Sequence, residues 1–154
     1  MIYWFFGYPG IGKDFVAKKF AQKSKILYVN GDSLLTATEK RKLASGTFSR
    51  EDRLLKLKRI SKYLKSLKKD LAITDSLPDN QSRIFLLNTF KDKISFILVQ
   101  ASTKQHLQQI HNRKKHFFKP EMVKIYIEKN WEPLGEFPHA KIKNNPVLKN
   151  KTRS

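Results

Sequence analysis

Residues 7 to 14, near the amino terminus, have the spacing of a loop that binds phosphate groups. Their sequence, GYPGIGKD, matches the pattern G-x-x-x-x-G-K-S/T at every fixed position except the last. Glycines let the main chain close around a phosphate chain, so that several backbone N–H groups donate to its oxygens at once. The ammonium of Lys13 supplies a cation for the outer phosphates. The chemistry expected here is therefore the binding of a nucleoside triphosphate.

The sequence on either side predicts the strand and the helix that such a loop requires. The apolar run 2–6 predicts a buried strand, and residues 13–23 predict a helix whose start adds partial positive charge beside the phosphates. We therefore expect the nucleotide to be bound by this strand–loop–helix unit. The predicted nucleotide-binding residues are Gly7, Pro9, Gly10, Ile11, Gly12, Lys13, Asp14 and Phe15.

The departure from the pattern is Asp14, which occupies the position where a hydroxyl normally binds Mg²⁺. A carboxylate also binds Mg²⁺, but it brings negative charge toward the phosphates. Two interpretations stay open. In one, Asp14 is an alternative ligand for the metal, and in the other the site has lost the metal and its catalysis.

The rest of the chain alternates short apolar runs with longer amphipathic stretches, which is the pattern of βαβ units around a parallel sheet. Further strands are predicted at 26–29, 71–75, 94–99 and 140–143. A further helix is predicted at about 34–43, and another begins at a capping box formed by residues 49–52. Three more helices are predicted, at about 80–90, at about 104–114 and from residue 120 onward. The expected fold is an α/β three-layer sandwich of the P-loop NTPase type, with a parallel sheet of about five strands.

Length and composition indicate one domain. The chain has 154 residues and no cysteine, which excludes disulfides and thiol chemistry and fits a cytoplasmic protein. No apolar run is long enough to cross a membrane, so no membrane partner is expected. We predict a single domain at 1–143 and a basic, flexible tail at 144–154.

The formal net charge of +19 is far from neutral. One interpretation is a polyanionic partner, either a nucleic acid or a phosphate-rich substrate. The other is a general enrichment in lysine, since the lysines are dispersed over most of the predicted helices. The oligomeric state is not indicated by any of these features.

Acidic residues follow the second and third predicted strands. Asp32 comes after residues 26–29 and Asp75 ends residues 71–75. Asp32 is placed to accept a proton from a substrate hydroxyl, and Asp75 to bind Mg²⁺. Each also has a purely structural interpretation, because aspartates commonly cap helices and turns. Asp52 is expected to be a helix cap.

These motifs together resemble the small-molecule P-loop kinases, and adenylylsulfate kinase most of all. The resemblance rests on Asn30-Gly31-Asp32, which is similar to an Asp-Gly-Asp motif, and on residues 48–53, which carry Phe-Ser-x-x-Asp-Arg. Fainter similarities occur around Arg83 and at Trp131-Glu132-Pro133. Two family positions differ, because Leu35 and Lys56 stand where that family has Arg and Asn.

Other kinases share parts of the chain. Residues 112–118 resemble the Arg-x-x-His-Phe segment in the lid of gluconate kinases. Gly-Lys-Asp also occurs in phosphomevalonate kinases and deoxynucleoside monophosphate kinases. Polynucleotide 5′-hydroxyl kinases share the G-x-P-G-x-G-K loop and a Ser-Asp turn after the third strand.

The resemblance implies ATP and Mg²⁺ as cofactors and a small anionic acceptor. The implied catalytic residues are Lys13, Asp32 and Arg113, the implied metal ligands are Asp14 and Asp75, and the implied substrate-binding residues are Asp32, Phe48, Arg53 and Arg83. Arg113 would close over ATP from the lid. Structural alternatives remain for Arg53, as a solvated residue of a first helical turn, and for Phe48, as part of the core.

Three hypotheses follow. The leading one is an ATP-dependent kinase, similar to adenylylsulfate kinase, that phosphorylates a hydroxyl of a small anionic molecule. The second is a polynucleotide 5′-hydroxyl kinase or another enzyme that acts on nucleic acid. The third is a nucleotide-binding module that has lost catalysis.

Overall fold

A computed structural model describes residues 1–112 and 120–144 of the chain. Its strands are β1 (Ile2–Phe6), β2 (Leu27–Asn30), β3 (Leu71–Thr74), β4 (Ile94–Gln100) and β5 (Ala140–Lys143). Its helices are α1 (Lys13–Ser24), α2 (Ala37–Ser45), α3 (Arg50–Leu67), α4 (Asn80–Phe90), α5 (Thr103–His111) and α6 (Pro120–Asn130). The five strands form one parallel sheet in the order β2-β3-β1-β4-β5.

Strand β1 lies at the centre of the sheet, where both of its faces are covered by helices. Phe5 packs with Ala17 and Ala21 of α1 on one face. Trp4 and Phe6 belong to the larger core on the other face, which includes residues of α3 and α4. Burial on both faces explains why β1 is a continuous apolar run. The predicted three-layer sandwich with about five parallel strands is confirmed.

The order of the strands creates a crevice beside the loop that follows β1. β1 pairs with β3 on one side and with β4 on the other, so that the connections leave in opposite directions. Ligands of open α/β sheets bind in such crevices, at the carboxyl ends of the strands. Thr74 ends β3 between Phe5 of β1 and Asn30 of β2, which places three strand ends side by side.

Most of the predicted elements occur, and α4 and β5 have the predicted bounds. The helix predicted at 34–43 is displaced. A short 3-10 helix occupies Gly31–Leu34, and α2 begins only at Ala37. The reason is local, because Thr36 and Glu39 form a capping box in which each side chain accepts a hydrogen bond from the other's backbone N–H. None of the helices in the described ranges is long and apolar enough to span a membrane.

Candidate active site

A cavity of about 330 Å³ opens at the carboxyl ends of β1, β2 and β3. The predicted site residues that line it are Pro9, Gly10, Gly12, Lys13, Asp14, Asp32, Phe48 and Asp75. The lining residues that were not predicted are Asn30, Leu35, Leu43, Lys56, Thr74, Ser76, Gln109, Asn112 and Tyr126. The fold thus brings together the phosphate-binding loop, the acid after β2 and the acid after β3, as the sequence predicted.

The loop turns from β1 into α1 through glycines in conformations that other residues rarely adopt. Gly7 has a φ of 152°, and a Cβ there would lie 2.7 Å from the carbonyl oxygen of Val99. Gly12 has a φ of 97° and precedes the first residue of α1, where a Cβ would collide with the side-chain amide of Asn144. The glycines at these two positions therefore follow from backbone geometry and close packing.

Lys13 is the first residue of α1, and its side chain reaches back across the loop. Its Nζ donates to the carbonyl oxygens of Tyr8 at 3.0 Å and Gly7 at 3.3 Å. This position puts the ammonium at the mouth of the loop, beside the N-terminus of α1. A phosphate bound by the loop amides would meet this cation, as the motif predicts.

Asp14 faces the cavity and is held from behind by two hydroxyl groups. Its Oδ1 accepts from Thr74 Oγ1 at 2.7 Å and from Tyr28 Oη at 2.8 Å. Burial, together with the hydrogen bond to Asp14, raises the pKa of Tyr28 well above its usual range. Tyr28 therefore remains a protonated donor at physiological pH. Neither Tyr28 nor Thr74 was predicted, since only the pairing of β2 with β3 and of β3 with β1 brings them to the loop.

Asp75 forms an ion pair with Lys56, which is not among the predicted site residues. Lys56 Nζ lies 2.8 Å from Asp75 Oδ2, and both side chains are almost completely buried. Burial alone would lower the pKa of Lys56, but the charge and hydrogen bond of Asp75 outweigh it and raise that pKa. Lys56 therefore stays protonated, and its Nζ also lies 5.8 Å from the centre of the Phe48 ring.

The turn after β2 contributes Asn30 and Asp32 to the cavity. Asn30 Oδ1 accepts from the backbone N–H of Asp32 at 2.8 Å, so Asn30 caps the 3-10 helix. Thr36 is the N-cap residue of α2, so the alternative interpretation, in which Asp32 caps this helix, is wrong. The expected capping role of Asp52 is confirmed: its side chain accepts from the backbone N–H of Ser49, the N-cap residue of α3, in a capping box.

Asp14 and Asp75, the two predicted metal ligands, both line the cavity. Among the described residues, no group of three or more acidic or histidine side chains could bind a metal by itself. This arrangement fits Mg²⁺, which is usually bound by one or two carboxylates together with phosphates and water.

Arg53 does not reach the cavity, which corrects the prediction that it binds substrate. Its side chain is 4% exposed, and its Nε donates to Asp79 Oδ1 at 2.8 Å. Nη1 donates to Asn130 Oδ1 at 3.2 Å. The alternative interpretation, a solvated residue of a first helical turn, is wrong as well. Arg53 instead ties α3 to the start of α4 and the end of α6.

The prediction that Arg83 binds substrate also needs correction, because Arg83 is fully buried. Its guanidinium donates to four oxygens at 2.8–2.9 Å, and it lies over the ring of Trp131 at 4.8 Å. The four acceptors are Leu77 O, Pro78 O, Asn80 Oδ1 and Glu132 O. Arg83 therefore fixes the turn after β3 against the segment after α6.

Sequence periodicity could have indicated the burial of the α3 cations. The buried side of α3 includes Arg53, Lys56, Leu57, Ile60 and Leu64, which follow helical spacing. Two cations thus occupy positions of an otherwise apolar face. A buried cation requires an acidic partner, which Asp79 and Asp75 supply.

Asn144, which is predicted to belong to the tail, supports the loop from the end of β5. It is 3% exposed, its backbone N–H donates to Gln100 O at 2.7 Å, and its Nδ2 donates to Ile11 O at 3.2 Å. Gln109 of α5, with its amide nitrogen facing the loop, donates to Gly10 O at 2.9 Å. The predicted tail boundary is therefore wrong for Asn144.

Replacing Asn144 by Ala is expected to lower the free energy of unfolding by about 1–3 kcal/mol, the usual cost when a buried acceptor loses its donor. Urea denaturation measures this change. Lys143→Ala, in the exposed strand immediately before, is the matched control and should change stability little. Equal stabilities for the two variants would show that Asn144 does not support the loop.

The other predicted site residues have mixed outcomes. Gly7 and Ile11 are buried parts of the loop that do not line the cavity, and Phe15, the third residue of α1, is 37% exposed. Their roles in nucleotide binding stay predictions. Arg113 lies outside the described residues, as do the lid segment from 113 and the tail from 145.

The loop, the helix that begins at its last glycine and the crevice beside β1 define a P-loop NTPase-type α/β protein. Comparison with solved structures refines this class, because the chain has the fold of the P-loop small-molecule kinases. The identities are low, so the likeness establishes the fold. No protein-family model and no curated protein sequence matches the chain.

Three of the similar structures illustrate the range of kinases that share this fold. A gluconokinase from Sinorhizobium meliloti 1021 has a TM-score of 0.78 at 21% identity, covering 96% of this chain and 85% of that one. A sugar kinase from a Janibacter species has a TM-score of 0.80 at 16% identity, covering 99% and 91%. An APS kinase from Mycobacterium tuberculosis, in complex with AMPPNP and APS, has a TM-score of 0.65 at 18% identity, covering 99% and 97%.

Proposed function

We propose that this chain is an ATP-dependent kinase that phosphorylates a hydroxyl group of a small sugar or sugar acid. One observation carries the proposal: Lys13, Asp14 and Asp32 line the same cavity at the carboxyl ends of the central strands. A cation for phosphates, an oxygen ligand for a metal and a carboxylate for proton transfer are the parts that phosphoryl transfer requires.

The loop side of the cavity would bind the nucleotide. The backbone N–H groups of the loop and the start of α1 would hold the β- and γ-phosphates, and the Lys13 ammonium would exchange its loop carbonyls for phosphate oxygens. Asp14 and Asp75 would hold Mg²⁺, which supplies charge neutralisation between the phosphates. Positioning and electrostatic stabilisation account for most of the catalysis in this reaction class.

The acceptor would lie on the side of β2, near Asp32. The Asp32 carboxylate takes the proton of the acceptor hydroxyl as its oxygen bonds to the γ-phosphorus. The bond between the γ-phosphorus and the bridging oxygen breaks, and ADP leaves with that electron pair. The products are the phosphorylated acceptor and ADP.

The charge of the cavity supports an acceptor with few negative groups. The cations that line it among the described residues are Lys13, beside the loop, and Lys56, already paired with Asp75. Arg53 and Arg83, predicted to bind an acceptor's phosphate or sulfate, contribute to the fold instead. A sugar or a sugar with one carboxylate suits this lining better than adenylylsulfate does. The gluconokinase and the sugar kinase, with the higher TM-scores, support the same class.

A coupled assay of ADP release tests the proposal. The panel contains sugars, sugar acids, adenylylsulfate and a 5′-hydroxyl oligonucleotide, each with Mg·ATP. We expect turnover with a member of the sugar or sugar-acid group. Turnover only with adenylylsulfate would restore the acceptor that the sequence resemblance implied. ATP binding without turnover on the whole panel would favour the module that has lost catalysis.

The net charge of +19 favours a second candidate, a kinase that acts on the 5′-hydroxyl of a polynucleotide. Its affinity for oligonucleotides would fall steeply with salt, because each phosphate contact releases counterions. Weak oligonucleotide binding at low salt would remove this candidate.

A further inference from the structure

A carboxylate ends the phosphate-binding loop and a hydroxyl ends β3, which is the reverse of the usual order of these two groups in a magnesium site. In P-loop NTPases, Mg²⁺ is commonly held by a hydroxyl at the end of the loop and by a carboxylate at a strand end. In this chain the loop ends with the carboxylate of Asp14, and β3 ends with the hydroxyl of Thr74. The two side chains are in direct contact, with 2.7 Å between Thr74 Oγ1 and Asp14 Oδ1.

The hydrogen bonds around Thr74 direct its hydroxyl proton toward Asp14. The backbone N–H of Gly31 lies 3.4 Å from Thr74 Oγ1 and donates to it, so that oxygen acts as acceptor on one side and donor on the other. A Cβ on Gly31 would collide with the carbonyl oxygen of Thr74, which means that this close approach requires glycine. Thr74 is 3% exposed, so its surroundings fix the orientation of the hydroxyl.

A second hydroxyl reaches the same carboxylate oxygen. Tyr28 Oη donates to Asp14 Oδ1 at 2.8 Å, which gives that oxygen two donors. Among the described residues, Asp14 Oδ2 has no hydrogen-bond partner, and Asp14 lines the cavity beside Lys13. One oxygen is thus used to orient the carboxylate, while the other is left for a ligand in the cavity.

The neighbouring acid is held differently. Asp75 Oδ2 is paired with the buried Lys56, and Asp75 Oδ1 accepts from the backbone N–H of Ser76 at 2.7 Å. Both of its oxygens therefore have partners. Between the two carboxylates that could hold the metal, Asp14 is the better placed to bind it directly.

We propose that Asp14 is the direct protein ligand of nucleotide-bound Mg²⁺, and that Thr74 and Tyr28 are positioning residues that hold its carboxylate. The hydroxyl and the carboxylate of the usual pair have exchanged places between the end of the loop and the end of β3. The inference rests on the proposed function only in requiring that the cavity binds a nucleotide with its metal.

Titration of Mn²⁺ into the protein with saturating ADP, followed by electron paramagnetic resonance, tests the assignment without any turnover. Removal of residues that orient a metal ligand usually weakens metal binding by about 10- to 100-fold. We expect a loss of that size for Thr74→Val and Tyr28→Phe, and a larger one for Asp14→Ala. In EDTA, ADP affinity should be unchanged for the two hydroxyl variants and no weaker than native for Asp14→Ala, which removes a negative charge near the phosphates. Asp75→Asn should weaken Mn²⁺ binding less than Asp14→Ala does.

The reciprocal variant distinguishes an exchanged pair from a structural hydrogen bond. Asp14→Ser alone should lose the tight Mn²⁺ site, and Asp14→Ser combined with Thr74→Asp should recover most of it, because the double variant restores the usual order of the two groups. A double variant no better than Asp14→Ser would overturn the exchange. Native Mn²⁺ affinity in Asp14→Ala would overturn the assignment of the ligand. Absence of ADP binding by the native protein would overturn the proposed function, and this inference with it.

Discussion

Replacing Lys13 by Met is expected to lower kcat for phosphorylation of the acceptor by about 100-fold or more. The loss of one preorganised donor at the reacting group costs about 2.7–4 kcal/mol of transition-state stabilisation in enzymes that use such donors. Lys13 is the cavity-lining cation that contacts the loop itself, through the carbonyls of Gly7 and Tyr8. Steady-state kinetics with Mg·ATP and the acceptor identified by the panel measure the effect.

The control is Lys19→Met, which removes an exposed cation from the same helix and should leave kcat within about two-fold, as usual for surface sites without special contacts. Circular dichroism and the melting temperature of both variants establish that the fold is intact. If Lys13→Met keeps native kcat while folded, the nucleotide does not react in this loop.

Replacing Arg53 by Met is expected to reduce the free energy of unfolding by about 3–5 kcal/mol, because removal of one partner leaves a buried charge without compensation. The side chains of Arg53 and Asp79 are 4% and 0% exposed, with 2.8 Å between Nε and Oδ1. Asp79 also caps α4 through Ser82, so the carboxylate remains essential to the fold after its cation is gone. Guanidinium denaturation provides the measurement.

The matched control is Arg50→Met in the preceding turn, whose side chain is 55% exposed and lies 3.5 Å from Glu132. An exposed pair contributes only about 0–1 kcal/mol, so this variant should be almost as stable as the native protein. Below its melting temperature, Arg53→Met should keep the native KM for the acceptor. A raised KM with unchanged stability would show that Arg53 contacts the substrate after all.

The stability difference between the native protein and Arg53→Met should depend on pH. Burial alone would raise the pKa of Asp79, but hydrogen bonds from Ser82 and Arg53 outweigh it and hold that pKa below its usual range. A carboxyl whose pKa is lowered on folding stabilises the protein above its unfolded pKa, and this contribution disappears as the pH falls through the folded pKa. The difference should therefore be full at neutral pH and shrink in acid, below the usual aspartate pKa of about 3.9.

The sequence could predict what depends on local patterns. The loop from Gly7 to Asp14 and the apolar strands at its sides carry their own signals, and α4 and β5 have the predicted bounds. The start of α2 was placed too early because Leu34 and Leu35 continue an apolar pattern, whereas the capping box of Thr36 decides where the helix begins. A cap is a stronger determinant of a helix boundary than two apolar side chains are.

The missing parts of the site depend on contacts between residues that are far apart in the sequence. Lys56 and Asp75 meet only because α3 packs beside β3, and Thr74 reaches Asp14 only because β3 pairs with β1. An arginine in a motif does not reveal whether it faces a ligand or a buried carboxylate. Arg53 satisfied the kinase-like pattern while its actual partner, Asp79, lies on another element.

The contact between Asn144 and the phosphate-binding loop has a consequence for synthesis of the protein. The loop is complete once residue 14 has been translated, but Asn144, which donates to Ile11 O, follows β5 far along the chain. A ribosome-bound chain that has not yet released β5 would carry the loop sequence without this support. Tight nucleotide binding would then require that translation has passed β5 and Asn144, and ATP would stabilise the protein only from that point on.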